Sequence, residues 1–262
     1  MHPTWGWPRV FKHFSGLRGI PFREANPPSH PKRVTRTVSW LIQEGNVVSM
    51  VDKFERYKVE VPDLVQEAIS LAEELGFPLM PEGRPVGYQG PPSACIPEVG
   101  KLLSVLAAGY PNGKIAELGT GAGVGTAWLL HGLPSTSRLF SAEVDEKLVS
   151  RTKALFTKYP NVDIRHGDCF EVLQDEMPFD LLFIDVGIRQ VMNPETWDQF
   201  TEMVRISGKI VFDDLLPLEL WPPDWDDLID VKREFAYRNP RVIGTEVRTT
   251  PSQVAIIATR VS

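Results

Sequence analysis

The sequence predicts an α/β protein, a doubly wound and mostly parallel sheet with helices on both faces, and three observations carry that expectation. Short apolar runs alternate with helical patterns from residue 96 to residue 238. One run, Ile115 to Leu118, turns towards a helix through glycines at alternate positions, Gly119, Gly121 and Gly123. Acidic residues then punctuate the ends of the runs, at Glu117, Glu143, Asp168, Asp185 and Asp213. Open α/β sheets bind ligands outside the carboxyl ends of their strands, so these acids fall on the edge where a ligand would lie.

Each element has a local reason. A helix is expected from Pro62 to Leu75, stopping at Gly76, and another from Ile96 to Ala108, with Pro97 at a favoured first helical position. Between them, residues 77–93 hold five prolines and three glycines and read as a loop or linker. Residues 115–118 form the first strand, and Thr126 to Leu130 the first turns of the helix after the glycines. Strands follow at 138–144, 162–165, 180–185 and 208–212. Helices are expected over 145–159, from Pro194 through Val204, and over 227–238. Two final strands, 241–247 and 253–259, read as a terminal hairpin. The loop 215–226 is proline-rich and carries Trp221 and Trp225, which stack on an aromatic substrate, pack the loop down or bury a dimer contact. His131 and His166 read as structural residues at element ends.

The glycine stretch departs from the dinucleotide fingerprint G-x-G-x-x-G. Counting from Gly119 puts Val124 at the last glycine, and counting from Gly121 puts Thr126 there. What stands is E-x-G-x-G-x-G, from Glu117 to Gly123. It resembles the first motif of the class I S-adenosylmethionine-dependent methyltransferases, whose cofactor has no pyrophosphate for a third dinucleotide glycine to serve. Glu143 follows Gly119 by 24 residues, where a carboxylate at a strand tip can accept both ribose hydroxyls. Asp168 ends the third strand within reach of an adenine edge, with Cys169 beside it. The resemblance implies a Rossmann-like, seven-stranded sheet with a C-terminal antiparallel hairpin. It implies S-adenosylmethionine as cofactor, held by Glu117, Gly119, Thr120, Gly121, Gly123, Thr126, Glu143, Asp168, Cys169 and Asp185, with Ser93 to Ile96 close by.

Methyl transfer to a hydroxyl needs a base or a divalent cation that lowers the hydroxyl pKa. Asp185, Asp213 and Asp214 end neighbouring strands, and three oxygen ligands there would suit Mg²⁺. The sequences F-I-D at 183–185 and F-D-D at 212–214 are similar to the cation-dependent O-methyltransferases of the catechol and caffeoyl-CoA type. That resemblance makes Asp185 and Asp213 catalytic and metal-holding, with Asp214 where the family has Asn. It also shows a departure, because the family's catechol-type lysine is missing after Asp185 and Arg189 stands nearby instead. Arginine is always protonated and is a poor base. Asp213-Asp214 also has a plain structural reading, as a pair that initiates a loop.

Composition bounds the rest. The 262 residues suffice for one large α/β domain, 61–262, plus an extension, 1–60. The net charge of −6 is uneven: residues 1–40 carry +6 and six prolines, and the remainder −12. The basic stretch reads as a poorly ordered arm, or as one that touches a substrate or partner, and Val34 to Lys58 as including a helix. No apolar run is long enough to span a membrane, and the N-terminus lacks the apolar core of a secretory signal. Two cysteines, Cys95 and Cys169, are too few for a disulfide framework, so a reduced, cytoplasmic setting is expected.

The leading expectation is methyl transfer from S-adenosylmethionine to a small hydroxylated acceptor, aromatic or a vicinal diol, with a divalent cation assisting. Homodimers are common among the relatives. Alternatives are a metal-independent enzyme acting on another small molecule or a modified tRNA, a nicotinamide-dependent oxidoreductase, and a non-catalytic cofactor-binding protein. The acidic remainder disfavours nucleic acid, and Val124 disfavours nicotinamide.

Overall fold

The computed structural model describes residues 58–80, 92–187, 192–225 and 228–262; the expected basic arm, the helix within 34–58 and Arg189 lie outside the described residues, apart from Lys58. Helices α1 (Asp63–Leu75) and α2 (Pro97–Ala107) precede β1 (Lys114–Leu118), α3 (Val124–Gly132) and β2 (Arg138–Glu143). Then come α4 (Glu146–Phe156), β3 (Val162–His166), the short α5 (Cys169–Val172), β4 (Phe179–Ile184) and α6 (Trp197–Glu202). The chain ends with β5 (Val204–Leu215), two 3₁₀ turns, α7 (Val231–Arg238), β6 (Val242–Thr250) and β7 (Gln253–Arg260).

The seven strands form one sheet in the order β3-β2-β1-β4-β5-β7-β6. Strands β1 to β5 run parallel, and β7 lies antiparallel to both β5 and β6. This is the mostly parallel, doubly wound sheet with a terminal hairpin that the sequence predicts. Successive side chains of a strand alternate between faces, so β1 sends Ile115 to one core and Ala116 and Leu118 to the other. The first core also takes Val65, Leu103, Ala127 and Val149 from α1 to α4. The second takes Phe200 and Phe235 from α6 and α7. Buried on both faces, the central strands are continuous apolar runs.

Packing on the first face fixes where α3 begins. Gly100 of α2 has no room for a Cβ because the Trp128 indole occupies that space, and Gly132 lies as tightly on the Ser104 backbone. Ser104 Oγ donates to the Trp128 carbonyl at 2.6 Å. Helices α2 and α3 therefore touch backbone to backbone, which holds the α3 N-terminus at the end of β1.

Several boundaries differ from expectation for local reasons. Helix α7 starts at Val231, not at 227, because the Asp230 side chain accepts from the Lys232 and Arg233 amides and fixes the first turn there. Pro62 caps α1 from outside in an extended conformation. Strand β5 runs from Val204, past a left-handed Ser207, to Leu215. Asp213 and Asp214 therefore lie within β5, at a shift in its register against β7 between Phe212 and Leu215.

Candidate active site

The carboxyl ends of β1, β2, β4 and β5 open onto a cavity of about 660 Å³, within the range usual for small-molecule sites. Its described lining includes Ser93, Ala94 and Cys95 ahead of α2, the turn Gly119 to Ala122, and Glu143, Asp185, Asp214 and Lys232.

The turn after β1 is shaped by its glycines. Gly119 has φ 92°, and a Cβ there would fall 2.5 Å from the Asp185 carbonyl oxygen, so only glycine lets the ends of β1 and β4 lie this close. Gly123 caps α3 in the left-handed region with no side-chain cap, leaving the helix amide ends turned to the cavity beside Val124 and Gly125.

Glu143 ties the next corner together. Its Oε2 accepts from the Gly121 amide at 3.0 Å and its Oε1 from the Asp145 amide at 3.0 Å. The carboxylate is thereby fixed at the cavity wall, with further lone pairs for a ligand.

Beneath the turn runs a buried polar chain. Thr120 Oγ1 meets Ser141 Oγ at 2.6 Å, Ser141 donates to Glu117 Oε2 at 2.6 Å, and Thr126 donates to the same oxygen. Glu117 is 0% exposed. Burial raises its pKa from 4.5 to about 8, with Glu143 and Asp213 adding to the rise and the two hydroxyls opposing it. Glu117 is thus a floor support under the glycine turn and is not part of the described cavity wall.

On the far side, Asp185, Asp213 and Asp214 converge, each offering one carboxylate oxygen within 4.8 Å of the others. Asp213 is buried, Asp185 half-buried and Asp214 exposed. The shift in register on β5 and the left-handed Asp214, φ 58°, place two consecutive side chains beside Asp185. Burial, then repulsion from Asp213 and Asp214, pushes the Asp185 carboxyl well above its ordinary range, and Lys232 opposes this. Burial, followed by the same carboxylates, also pushes up the Cys95 thiol.

The structure brings Gly119, Thr120, Gly121, Glu143, Asp185 and Asp214 to one cavity, with Asp213 behind its wall. Gly123 and Thr126 support the turn from α3. Asp168 and Cys169 are not brought to the described wall: Asp168 caps α5 through the Phe170 amide, and Cys169 packs against the second core. Trp221 and Trp225 hold each other edge to face, with the Trp221 indole N–H donated to the Leu216 carbonyl, so they pack their own loop.

Sequence reasoning missed Lys232. It reaches the cavity from α7, and its Nζ donates to the Asp213 carbonyl at 2.6 Å. No local motif announces it; the nearest signal is Asp230, a good helix cap two residues earlier.

The strand order and the ligand-side glycine turn define the class I methyltransferase fold. Residues 116–215 match the family described as a methyltransferase domain. The chain is 33% identical over 119 residues to the catechol O-methyltransferase of Niastella koreensis, a match covering 42% of this chain and 52% of that protein. It spans about half the length of the curated relatives it matches. Among solved structures, the O-methyltransferase TomG of Streptomyces achromogenes, in complex with S-adenosylmethionine, superposes with a TM-score of 0.61 at 20% identity, covering 80% of this chain and 95% of TomG. The Bacillus cereus O-methyltransferase in complex with S-adenosylhomocysteine gives 0.59 at 19%, covering 79% and 96%. At these identities the two structures establish the fold. The likeness to class I S-adenosylmethionine-dependent O-methyltransferases expected from the motifs is therefore shown.

Proposed function

We propose that this chain transfers a methyl group from S-adenosylmethionine to a hydroxyl of a small acceptor, an aromatic or vicinal diol, with a divalent cation such as Mg²⁺ assisting. One observation carries the reading: Asp185, Asp213 and Asp214 meet within 4.8 Å beside a cavity lined by Gly119, Gly121 and Glu143. The three ligand atoms are all carboxylate oxygens, the hard donors that Mg²⁺ takes, so the residues present fit the ion. When bound, the cation supplies a Lewis acid that lowers the acceptor hydroxyl pKa and fixes its position.

The chain's own groups supply the rest. The glycine turn lets a ligand approach the backbone closely, and the uncapped α3 terminus offers amides to a carboxylate such as the amino-acid tail of the cofactor. Glu143 is held ready for the ribose hydroxyls. Asp185 stands at the junction of the glycine turn and the acidic cluster, where it would face both cofactor and cation. The methyltransferase domain match supports methyl transfer, and the catechol O-methyltransferase relative supports oxygen as the acceptor atom.

The test is calorimetric. Mg²⁺ and Mn²⁺ are titrated into protein saturated with S-adenosylhomocysteine, beside an Asp213→Ala variant. The expected result is cation binding that Asp213→Ala abolishes while cofactor binding persists. Cofactor binding without cation binding would overturn the metal assistance, and no cofactor binding would overturn the whole reading.

A further inference from the structure

Among the described residues of the cavity wall, Lys232 supplies the positive charge, and it arrives on the acidic side. Its Nζ rests on the Asp213 carbonyl at 2.6 Å, so the ammonium is seated on the backbone of a proposed metal-holding residue. The amine is not free to swing away with its helix. Asp230 accepts from the Lys232 and Arg233 amides at the start of α7. The neighbouring Arg233, 6% exposed, forks to Asp230 Oδ2 at 2.7 Å, Glu246 Oε1 at 2.8 Å and the Leu216 carbonyl at 3.0 Å. Phe235, one turn on, lies wholly inside the second core. These anchors, joined through Asp230, hold the base of the Lys232 side chain at a fixed distance from β5.

We propose that the Lys232 ammonium is a tethered cation that balances the Asp185, Asp213 and Asp214 carboxylates and competes with a divalent ion for them, so that Lys232 sets the metal affinity of the site. This rests on the metal reading given under Proposed function and deepens it. The physics is a choice between cations. Three carboxylates brought together repel one another, and either a resident monovalent charge or a visiting divalent one relieves the repulsion. With the ammonium in place, an entering ion meets a weaker field and a like charge beyond the carboxylates, an interaction that partial burial does not screen away. An ion is retained only if its charge density outweighs that repulsion, or if an acceptor oxygen adds a further ligand. The lysine would thereby couple ion retention to acceptor arrival, keeping the ion loosely held until the acceptor is present.

Mn²⁺ is the probe, because its electron paramagnetic signal reports the free ion directly and needs no acceptor and no turnover. Wild type, Lys232→Arg, Lys232→Gln and Lys232→Met are each saturated with S-adenosylhomocysteine and titrated with Mn²⁺. Lys232→Gln keeps a donor for the Asp213 carbonyl, so it removes charge with the smallest loss of packing. Its S-adenosylhomocysteine affinity, measured on the same sample, reports whether the cavity is intact. The expected result is Mn²⁺ binding at least about tenfold tighter in Lys232→Gln and Lys232→Met than in wild type, with Lys232→Arg near wild type, because the repulsion removed is that of a full unit charge. Binding in Lys232→Gln alone, with none in wild type, also supports the proposal and would overturn metal assistance in the native chain. Equal or weaker binding in Lys232→Gln overturns the proposal and leaves the metal site standing. No binding in any of the four overturns both.

Discussion

Replacing Glu117 by glutamine asks whether burial holds the carboxyl under the glycine turn neutral. Its Oε2 takes two hydroxyl donors, while its Oε1 is enclosed with no hydrogen-bond partner among the described residues. The ordinary carboxyl pKa of 4.5 becomes about 8 in the folded chain. Between those values the folded chain keeps a proton that the unfolded chain has released, so stability is fully present below 4.5 and is lost as pH rises to about 8. At about 1.4 kcal/mol for each tenfold change, raising the pH from about 5 to about 8 removes roughly 3 kcal/mol from the wild type. Glutamine has no such proton. Its amide nitrogen, set where Oε1 lies, brings two N–H hydrogens where the neutral carboxyl has one O–H, and costs about 1–3 kcal/mol at every pH. The variant is therefore expected to be the less stable protein in mild acid and to match or exceed the wild type near pH 8. Urea unfolding followed by tryptophan fluorescence, with chelator present, measures both proteins across that range. If the two stability curves run parallel with pH, Glu117 is not held neutral and the reasoning fails.

Three further outcomes are expected. Gly119→Ala should weaken S-adenosylhomocysteine binding at least about tenfold, since its φ of 92° and the Asp185 carbonyl 2.5 Å away leave no place for a methyl group; Gly121→Ala, strained by its φ of 51° but meeting nothing nearer than Phe77 at 3.5 Å, should weaken it less in the same calorimetric titration. Arg233→Met removes the ion pairs to Asp230 and Glu246 and the hydrogen bond to the Leu216 carbonyl, and should cost about 2 kcal/mol in denaturant unfolding. Gly100→Ala drives a methyl group into the Trp128 indole and should lower stability by about 1–3 kcal/mol, seen as a fall in the thermal midpoint.

The parallel half of the sheet was legible because its signals are local. Apolar runs, the glycines and the acids at strand ends each report their own neighbourhood, and β1 to β4 lie within a residue or so of expectation. Strand β5 was less legible. After the buried Val204, Arg205, Ile206 and Ser207 are exposed, and the left-handed Ser207 interrupts the strand before the apolar run begins. The site divides in the same way. Gly119, Glu143 and Asp185 follow from their positions at strand ends, whereas Glu117 lies outside the described cavity wall with its Oε2 held by the Ser141 and Thr126 hydroxyls. Asp168, beside Cys169, caps α5 through one carboxylate oxygen and lies outside the described cavity wall. Lys232 was invisible because its place depends on how α7 lies against the end of β5, which is set by Arg233 and Phe235 through long-range packing.

The order in which the sheet fills has a consequence for the chain as it is made. Of the seven described strands, β7 is synthesised last, yet it sits inside the sheet, bonded on one side to β5 and on the other to β6. Until residue 260 has emerged from the ribosome, β5 carries an unpaired apolar edge, and β6 has no neighbour among the described strands. The parallel half could form early, but it would wait with that edge open, the kind of surface on which nascent chains aggregate. Completion of the sheet thus waits on β7, which pairs with the adjacent β6 as a hairpin and with β5 on its other side. Loss of even the final strand would leave a sheet that had lost an interior member, not one merely trimmed at its border.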